Sequence, residues 1–331
     1  MPARTIVFRP STEADLGRIL PLIRRDGACP LTADGYVAHL DDGQYRRGWT
    51  WIAEESGGDV LAVAVWWASP KDSEPASLEA FYVHESLGVD DEERVALAAS
   101  LLGAAHQAFA DEFGLSEPPA YHVFVPGDWR EQPDVVSALS WRREAVARAG
   151  LGALLERLRF EWTTADGLAS PGGELEFRAE PDDAVFVELF SRVLSGSLDI
   201  TSTREAARVG AIEQARQDVA LLRDLMVGER SWWRVAVNQD GETVGFGIPS
   251  RNLSFPVVGY LGVLPEHRGR GYVHAILVEI TRILVDEAGA TTIRADTDLV
   301  NEPMAAAFRR AGYRNHARRL VFSADGGSCH S

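Results

Sequence analysis

Residues Leu261 to Tyr272 read LGVLPEHRGRGY. A strand-like run stops at a proline, and two arginines alternate with two glycines. Val273, Ile276, Leu277, Ile280, Ile283 and Leu284 then recur at helical spacing. A strand that turns through glycines into a helix gathers unpaired backbone N–H groups at the positive end of that helix, which makes an anion site. Gly269 and Gly271 allow the backbone to approach a phosphate closely, and Arg268 and Arg270 offer charge-assisted contacts. Two well-known phosphate loops do not fit. A dinucleotide fingerprint needs a third glycine where His274 stands, and a P-loop needs a Gly-Lys-Ser/Thr ending. Taken alone, the loop also reads as an ordinary solvated turn.

The elements that would hold this loop are legible on either side. Phe255 to Pro265 (FPVVGYLGVLP) is a β-rich run ended by proline, and Glu287 to Gly289 (EAG) stops the helix that follows. The same order of elements occurs earlier in the chain. Thr5 to Ile23 and Leu175 to Leu194 each read as strand, turn and amphipathic helix, with Phe8-Arg9 matching Phe177-Arg178. Trp51 onward and Arg234 onward each give a strand, a glycine-containing turn and a second strand. The halves close on RAGLGALLERLRF (Arg148 to Phe160) and RAGYRNHARRLVF (Arg310 to Phe322). Three matches in one order point to duplication. The expected division is a domain over 1–166, a Gly/Ala/Ser/Pro-rich linker over 167–174, a second domain over 175–323 and a tail over 324–331. The fold class expected is α/β, an α+β mixed sheet with helices on its faces.

Composition bounds the function. The chain has 331 residues, 46% of them hydrophobic, which suits two packed cores. A formal net charge of -16 argues against nonspecific binding to nucleic acid or to anionic membrane. No run of eighteen apolar residues occurs and MPARTIVFRP lacks a signal-peptide core, so a cytoplasmic protein is expected. Cys29 and Cys329 show no metal-ligand spacing and no disulfide framework, and no metal is expected.

The loop resembles the acyl-CoA-binding motif of the GNAT N-acetyltransferases, a strand ending in V-x-P followed by Q/R-x-x-G-x-G/A. Arg268 takes the first position and Gly271 the central glycine; Val273 departs from the glycine or alanine usual at the end. Ile293 to Tyr313 (IRADTDLVNEPMAAAFRRAGY) supplies the family's later asparagine, Asn301, and a closing Gly312-Tyr313 in place of Gly-Phe. The layout resembles the double-domain members of the family, mycothiol-synthase-like proteins among them. This resemblance implies acetyl-CoA as co-substrate and a small-molecule amine as acceptor. It places the cofactor on the strand residues Leu261, Gly262, Val263 and Leu264 and on the loop residues Arg268, Gly269, Arg270, Gly271, Tyr272 and Val273. Asn301 and Phe308 are assigned to the same side.

The acid and base are less well marked. Where many members carry a tyrosine acid, this chain has Phe308, which holds no proton to give. Tyr260 is the one titratable side chain from Val257 to Val263, and Asp296 and Asp298 end the TIRADTD run. Tyr260 and Asp296 are the candidates, against plainer readings as a packed aromatic and a turn or cap residue. Ser195 to Gly210 is expected to line the acceptor pocket, with Asp199 an acid there or a helix cap.

The first half lacks the glycine loop and carries Asp90, Asp91, Glu92 and Glu93 in its place, so it is expected to have lost acyl-CoA binding. A non-catalytic acyl-CoA-binding or regulatory module, or an acetyltransferase for a protein or peptide amine, are the alternative functions. The duplication suggests a monomer.

Overall fold

The computed structural model describes residues 5–56, 58–84, 91–170, 175–252 and 254–324. Asp90, the end of the expected linker and most of the expected tail, Cys329 included, lie outside the described residues. The first half of the chain forms β1 (Ile6–Pro10), α1 (Leu16–Ile19), α2 (Ala33–Asp41), β2 (Tyr45–Glu55), β3 (Val60–Trp67) and β4 (Ser77–Val83). It continues through α3 (Asp91–Phe113), β5 (Tyr121–Pro126), α4 (Pro133–Arg148) and β6 (Ala153–Thr163). The second half forms β7 (Glu176–Ala179), α5 (Asp183–Val193), α6 (Ile200–Val209), α7 (Ala211–Asp224), β8 (Arg234–Val237) and β9 (Thr243–Arg251). It ends with β10 (Pro256–Val263), α8 (Tyr272–Asp286), β11 (Thr292–Asp298), α9 (Glu302–Arg310) and β12 (Arg314–Ser323). The mixed α/β class and the repeated order of elements are as expected.

Two compact units divide this chain, and they differ from the two sequence halves. One unit is Met1–Glu156 with Arg318–Ser331; the other is Arg157–Ala317. In the first unit the strand order is β1-β2-β3-β4-β5 followed by the end of β12. In the second it is β7-β8-β9-β10-β11 followed by the greater part of β6. Each unit is therefore completed by the last strand of the other half. Arg157 to Thr163 makes an unbroken antiparallel ladder with Asp298 to Thr292 of β11. Beside β5, Phe322 stacks on Tyr121 at 5.9 Å, and Arg318 donates to the Gly127 carbonyl at 3.3 Å.

The sheet of the first unit is apolar on both faces, so its central strand reads as a continuous hydrophobic run. Ala62, Ala64 and Trp66 of β3 pack with Leu101, Leu102 and Phe109 of α3, while Val63 and Val65 face Ile19 and Tyr36. In the second unit Phe246 and Ile248 of β9 pack with Phe186 and Phe190 of α5 and Val219 of α7. The other face of β9 carries glycines. A Cβ on Gly247 would lie 2.9 Å from side-chain atoms of Ile276 and Ile280, so α8 rests directly on the strand backbone. Among the described residues no helix is long and apolar enough to cross a membrane.

Gly245 is the most constrained of these positions, because an added Cβ would stand 2.3 Å from the Gly262 carbonyl oxygen. Gly245→Ala is expected to lower the free energy of unfolding by about 1–3 kcal/mol in urea titrations, as for other overpacked cores. Gly17→Ala, in α1 with open space around it, is expected to be neutral or to stabilise by about 0.4–1 kcal/mol.

Candidate functional site

β10 is paired along its length with β9 but meets the parallel strand β11 at a single register, Val257 with Arg294. Beyond that pair the two strands part, although β10 runs on to Val263 and β11 to Asp298. The edge of β10 from Tyr260 to Val263 is thereby released from the parallel ladder, leaving backbone donors and acceptors that an extended ligand could pair. A bulge sets this geometry. Val258 pairs Pro249 and Tyr260 pairs Ile248, which makes Gly259 the extra residue. Its lack of a side chain is required, since a Cβ would lie 2.4 Å from Ser250 Oγ.

At the end of β10 the chain passes through a short 3-10 turn, Pro265–His267, and reaches Gly269 and Gly271, with φ of 79° and 82°. Both are left-handed, a conformation L side chains avoid. Gly271 is the N-cap of α8 and gives it no side-chain cap. Among the described residues no protein acceptor takes the N–H groups of Gly269, Arg270 or Gly271. The opening N–H groups of α8 add to them at the positive helix end. A Cβ at Gly269 or Gly271 would meet nothing within 4 Å, so the concavity is open. These residues make an open turn with unpaired N–H groups beside the released edge of β10.

The two arginines have separate tasks. Arg270 is exposed and makes no ion pair among the described residues. The Arg268 side chain is directed to carbonyls: Nε donates to Val263 at 3.2 Å, Nη2 to Val193 at 2.7 Å, and Nη1 to Ser195 and Gly196 at 2.8 and 3.0 Å. It clamps the C-terminal end of α5 to the end of β10, where a cation is favoured. This differs from the expected contact with a phosphate. Asn301 caps α9, accepting from the Met304 N–H at 3.3 Å. Phe308 is 2% exposed and stacks on Phe160 at 4.9 Å, so its ring has almost no surface to offer a ligand.

Tyr260 stands at the divergence. Its ring packs on Phe190 at 4.3 Å and on Phe246 at 5.7 Å, which fixes its direction, and it is half-buried. Burial raises its pKa, with the charges of Asp199 and Asp218 acting the same way and Arg268 opposing, so the phenol holds its proton. Asp296 lies across the ladder from Arg159 and pairs with it at 3.1 Å, which neutralises it. Asp298 is 1% exposed, lies 3.0 Å from Arg157 Nε and accepts from the Ile200 N–H at 2.7 Å. Asp199 caps α6, accepting from the Ser202 N–H at 2.8 Å.

One carboxylate was not singled out from the sequence. Asp218 of α7 accepts from Gln214 Nε2 at 2.9 Å through Oδ1, while its buried Oδ2 has no hydrogen-bond partner among the described residues. Burial pushes its pKa up to about 6; the Gln214 bond opposes this, and the charges of Asp199 and Glu205 add to it. A sequence signal existed: Asp218 falls on the helix face that buries Ala215, Val219 and Leu222. Among the described residues no group of His, Cys, Asp or Glu could hold a metal.

The second unit thus combines a sheet opened at its parallel pair with a glycine turn at a helix N-terminus beside the opening. Residues 199–313 match the family described as Acetyltransferase (GNAT) family, and the C-terminal part of the chain is a domain of that family. Among solved structures, a GCN5-related N-acetyltransferase from Sphaerobacter thermophilus is similar over 96% of this chain and 95% of its own, with 18% identity and a TM-score of 0.55. A fungal glucosamine N-acetyltransferase region within a multi-domain GH3 β-N-acetylglucosaminidase is similar over 97% of this chain and 38% of its own, with 15% identity and a TM-score of 0.51. A tandem GNAT protein from the clavulanic acid biosynthesis pathway aligns over 98% and 99%, with 18% identity and a TM-score of 0.49. No curated protein matches the sequence. The likeness over the whole chain and the duplicated strand order make the architecture a tandem GNAT fold.

The raised pKa of Asp218 has a consequence for stability. Its unfolded value is about 3.9, so the folded state binds the extra proton between that pH and about 6. The stability this contributes is complete below about pH 4 and is lost as pH rises through 6. In urea titrations Asp218→Asn is expected to gain on the wild type by on the order of 1 kcal/mol between pH 4 and pH 7, discounting for partial exposure. An unchanged difference would mean a carboxylate in bulk water.

Proposed function

We propose that the second unit transfers an acetyl group from acetyl-CoA to a small-molecule amine. The observation that carries this reading is the cradle of unpaired N–H groups at Gly269–Gly271 and the start of α8, placed at the end of a β10 edge that β11 does not cover. The residues fit an acyl-CoA: Gly269, Arg270, Gly271, Tyr272 and Val273 would hold the pyrophosphate through backbone N–H groups, with Arg270 adding charge. The edge from Leu261 to Val263 would pair the amide-bearing arm; Leu264 closes it, its N–H donating to Val244 and its carbonyl accepting from the His267 N–H. Arg268 serves by holding this strand end against α5. Asn301 and Phe308 support the site through the cap of α9 and the core beneath.

Acetyl-CoA supplies the acyl group as a thioester; a C–N bond forms as the C–S bond breaks, the amine loses a proton and the sulfur gains one. The chain's own residues handle those protons. Asp218, with a pKa of about 6, is ionised at neutral pH and can take the proton of the attacking amine. Tyr260 keeps its proton and can donate a hydrogen bond to the departing sulfur. Asp296 is given no part in this transfer because its side chain is engaged with Arg159. The acids Asp199 and Asp218, whose charges both act on Tyr260, favour an acceptor that arrives as a cation.

The first unit presents no such cradle among the described residues. Helix α3 opens with Asp91, Glu92 and Glu93, which repel a polyphosphate, and Glu92 is paired with Arg148 at 2.7 Å. We therefore assign acetyl-CoA to one site per chain and expect a monomer that works in the cytoplasm.

Calorimetric titration of acetyl-CoA is expected to give one site in the wild type and none in Gly271→Glu, which sets a side chain at φ +82° and a carboxylate in the cradle. Two sites would assign a cofactor to the first unit, and no binding would remove the reading. With a panel of amines, kcat/KM is expected to rise through an apparent pKa near 6. Asp218→Asn should abolish that limb and lower kcat by about 100-fold or more.

A further inference from the structure

The first unit contains a cavity of about 260 Å³, lined by the Cys29–Thr32 segment and by His39, Tyr45, Glu79, His122 and Phe124. Glu79 reaches it through a ladder irregularity. Val65 of β3 pairs Ala80 of β4 while Trp66 pairs Leu78, so Glu79 is the extra residue of a bulge. Leu78 and Phe81 consequently both pack in the core with α3, while Ala80 and Tyr82 join the opposite core, with Cys29 and Tyr45. A bulge redirects the side chain it carries, and here that side chain is a carboxylate at a cavity wall.

The surroundings leave this carboxylate incompletely matched. β4 meets β5 at one register, Leu78 with Tyr121, and the residues just past that pair, Glu79 on one strand and His122 and Phe124 on the other, line the cavity. Tyr45 donates its hydroxyl to Glu79 Oε2 at 2.9 Å. Among the described residues Glu79 has no ion-pair partner. His39 is engaged with Asp42 at 3.3 Å, and the Arg319 guanidinium lies 3.1 Å from His122 Nδ1. Burial raises the Glu79 pKa, against the Tyr45 bond and the charges of His39 and Arg319. The bulge itself does not call for an acid: the matching bulge of the second unit carries Gly259. The two histidines and Glu79 do not make a metal site.

We propose that this cavity binds a small organic ammonium ion, whose charge pairs with Glu79 and whose apolar part lies against the rings of Tyr45 and Phe124. Aromatic faces attract such cations, and a partly buried carboxylate is stabilised by an opposite charge. The volume is below the range of roughly 300–1,000 Å³ typical of drug-sized ligands, which limits the ion to a few heavy atoms. The site is independent of acetyl transfer in the second unit and needs no cofactor.

The test uses the full chain without acetyl-CoA, titrated with n-butylammonium chloride and, separately, with its neutral isostere n-butanol, followed by ligand-observed NMR and calorimetry. Wild type is expected to bind the ammonium at least about tenfold more tightly than the alcohol. Glu79→Gln should lose that preference, while Glu213→Gln, on an exposed helix face of the second unit, should keep it. Equal binding of ammonium and alcohol, or no binding by wild type, would overturn the proposal without recourse to any variant. Loss of binding in Asp218→Asn with retention in Glu79→Gln would also overturn it, by moving the cation to the second unit.

Discussion

Two parallel strands that share one register and then part set a demand that the rest of the second unit answers. Where β10 leaves β11, a stretch of main chain keeps its polar groups without a ladder partner, and such groups are tolerated only if water or a ligand takes them. The parting is held by local means. Gly259 supplies the bulge, and β9 secures the other edge of β10 through its full length. Glycines at 245 and 247 let α8 settle against the sheet backbone, which fixes where its N-terminus emerges. Arg268 ties four carbonyls together at the far end of β10. The cradle at Gly269 and Gly271 is thus the last consequence of a strand geometry fixed upstream.

The same device occurs in the first unit with other contents. There β4 and β5 also meet once and diverge, and a bulge stands at the corresponding place. The second unit has a glycine at its bulge and a glycine turn before the next helix. The first has a glutamate at its bulge and acids at the start of the next helix. Duplication preserved the backbone opening, while side chains decided what charge each opening faces.

Much of this was legible in the sequence, because strand periodicity, glycine spacing and the repeat are local or regular signals. The glycine-arginine loop, the hairpins and the helix stop at Glu287 to Gly289 all stand where the pattern put them. Side-chain destinations were less accessible. Arg268 reads as a phosphate ligand until the end of α5, more than seventy positions earlier, is brought beside it. Phe308 sits in a segment named by its motif, but Phe160 from the other half decides that its ring is core. Asp218 gave only one acid on an apolar helix face, and its significance depends on Asp199 and Tyr260 arriving from separate elements. The exchange of β6 and β12 between units leaves no mark on periodicity, since either strand would read the same in either place.

That exchange governs the order in which the chain can mature. The edge of β5 stays open until Arg318 to Ser323 has been made, so the first unit to be synthesised is the last to close. A ribosome releasing this chain holds a nearly complete first unit through the synthesis of the second. A cut in the connecting segment near Gly167 would give two fragments, each carrying the strand that the other requires. Separately expressed halves should therefore be competent only in one another's presence.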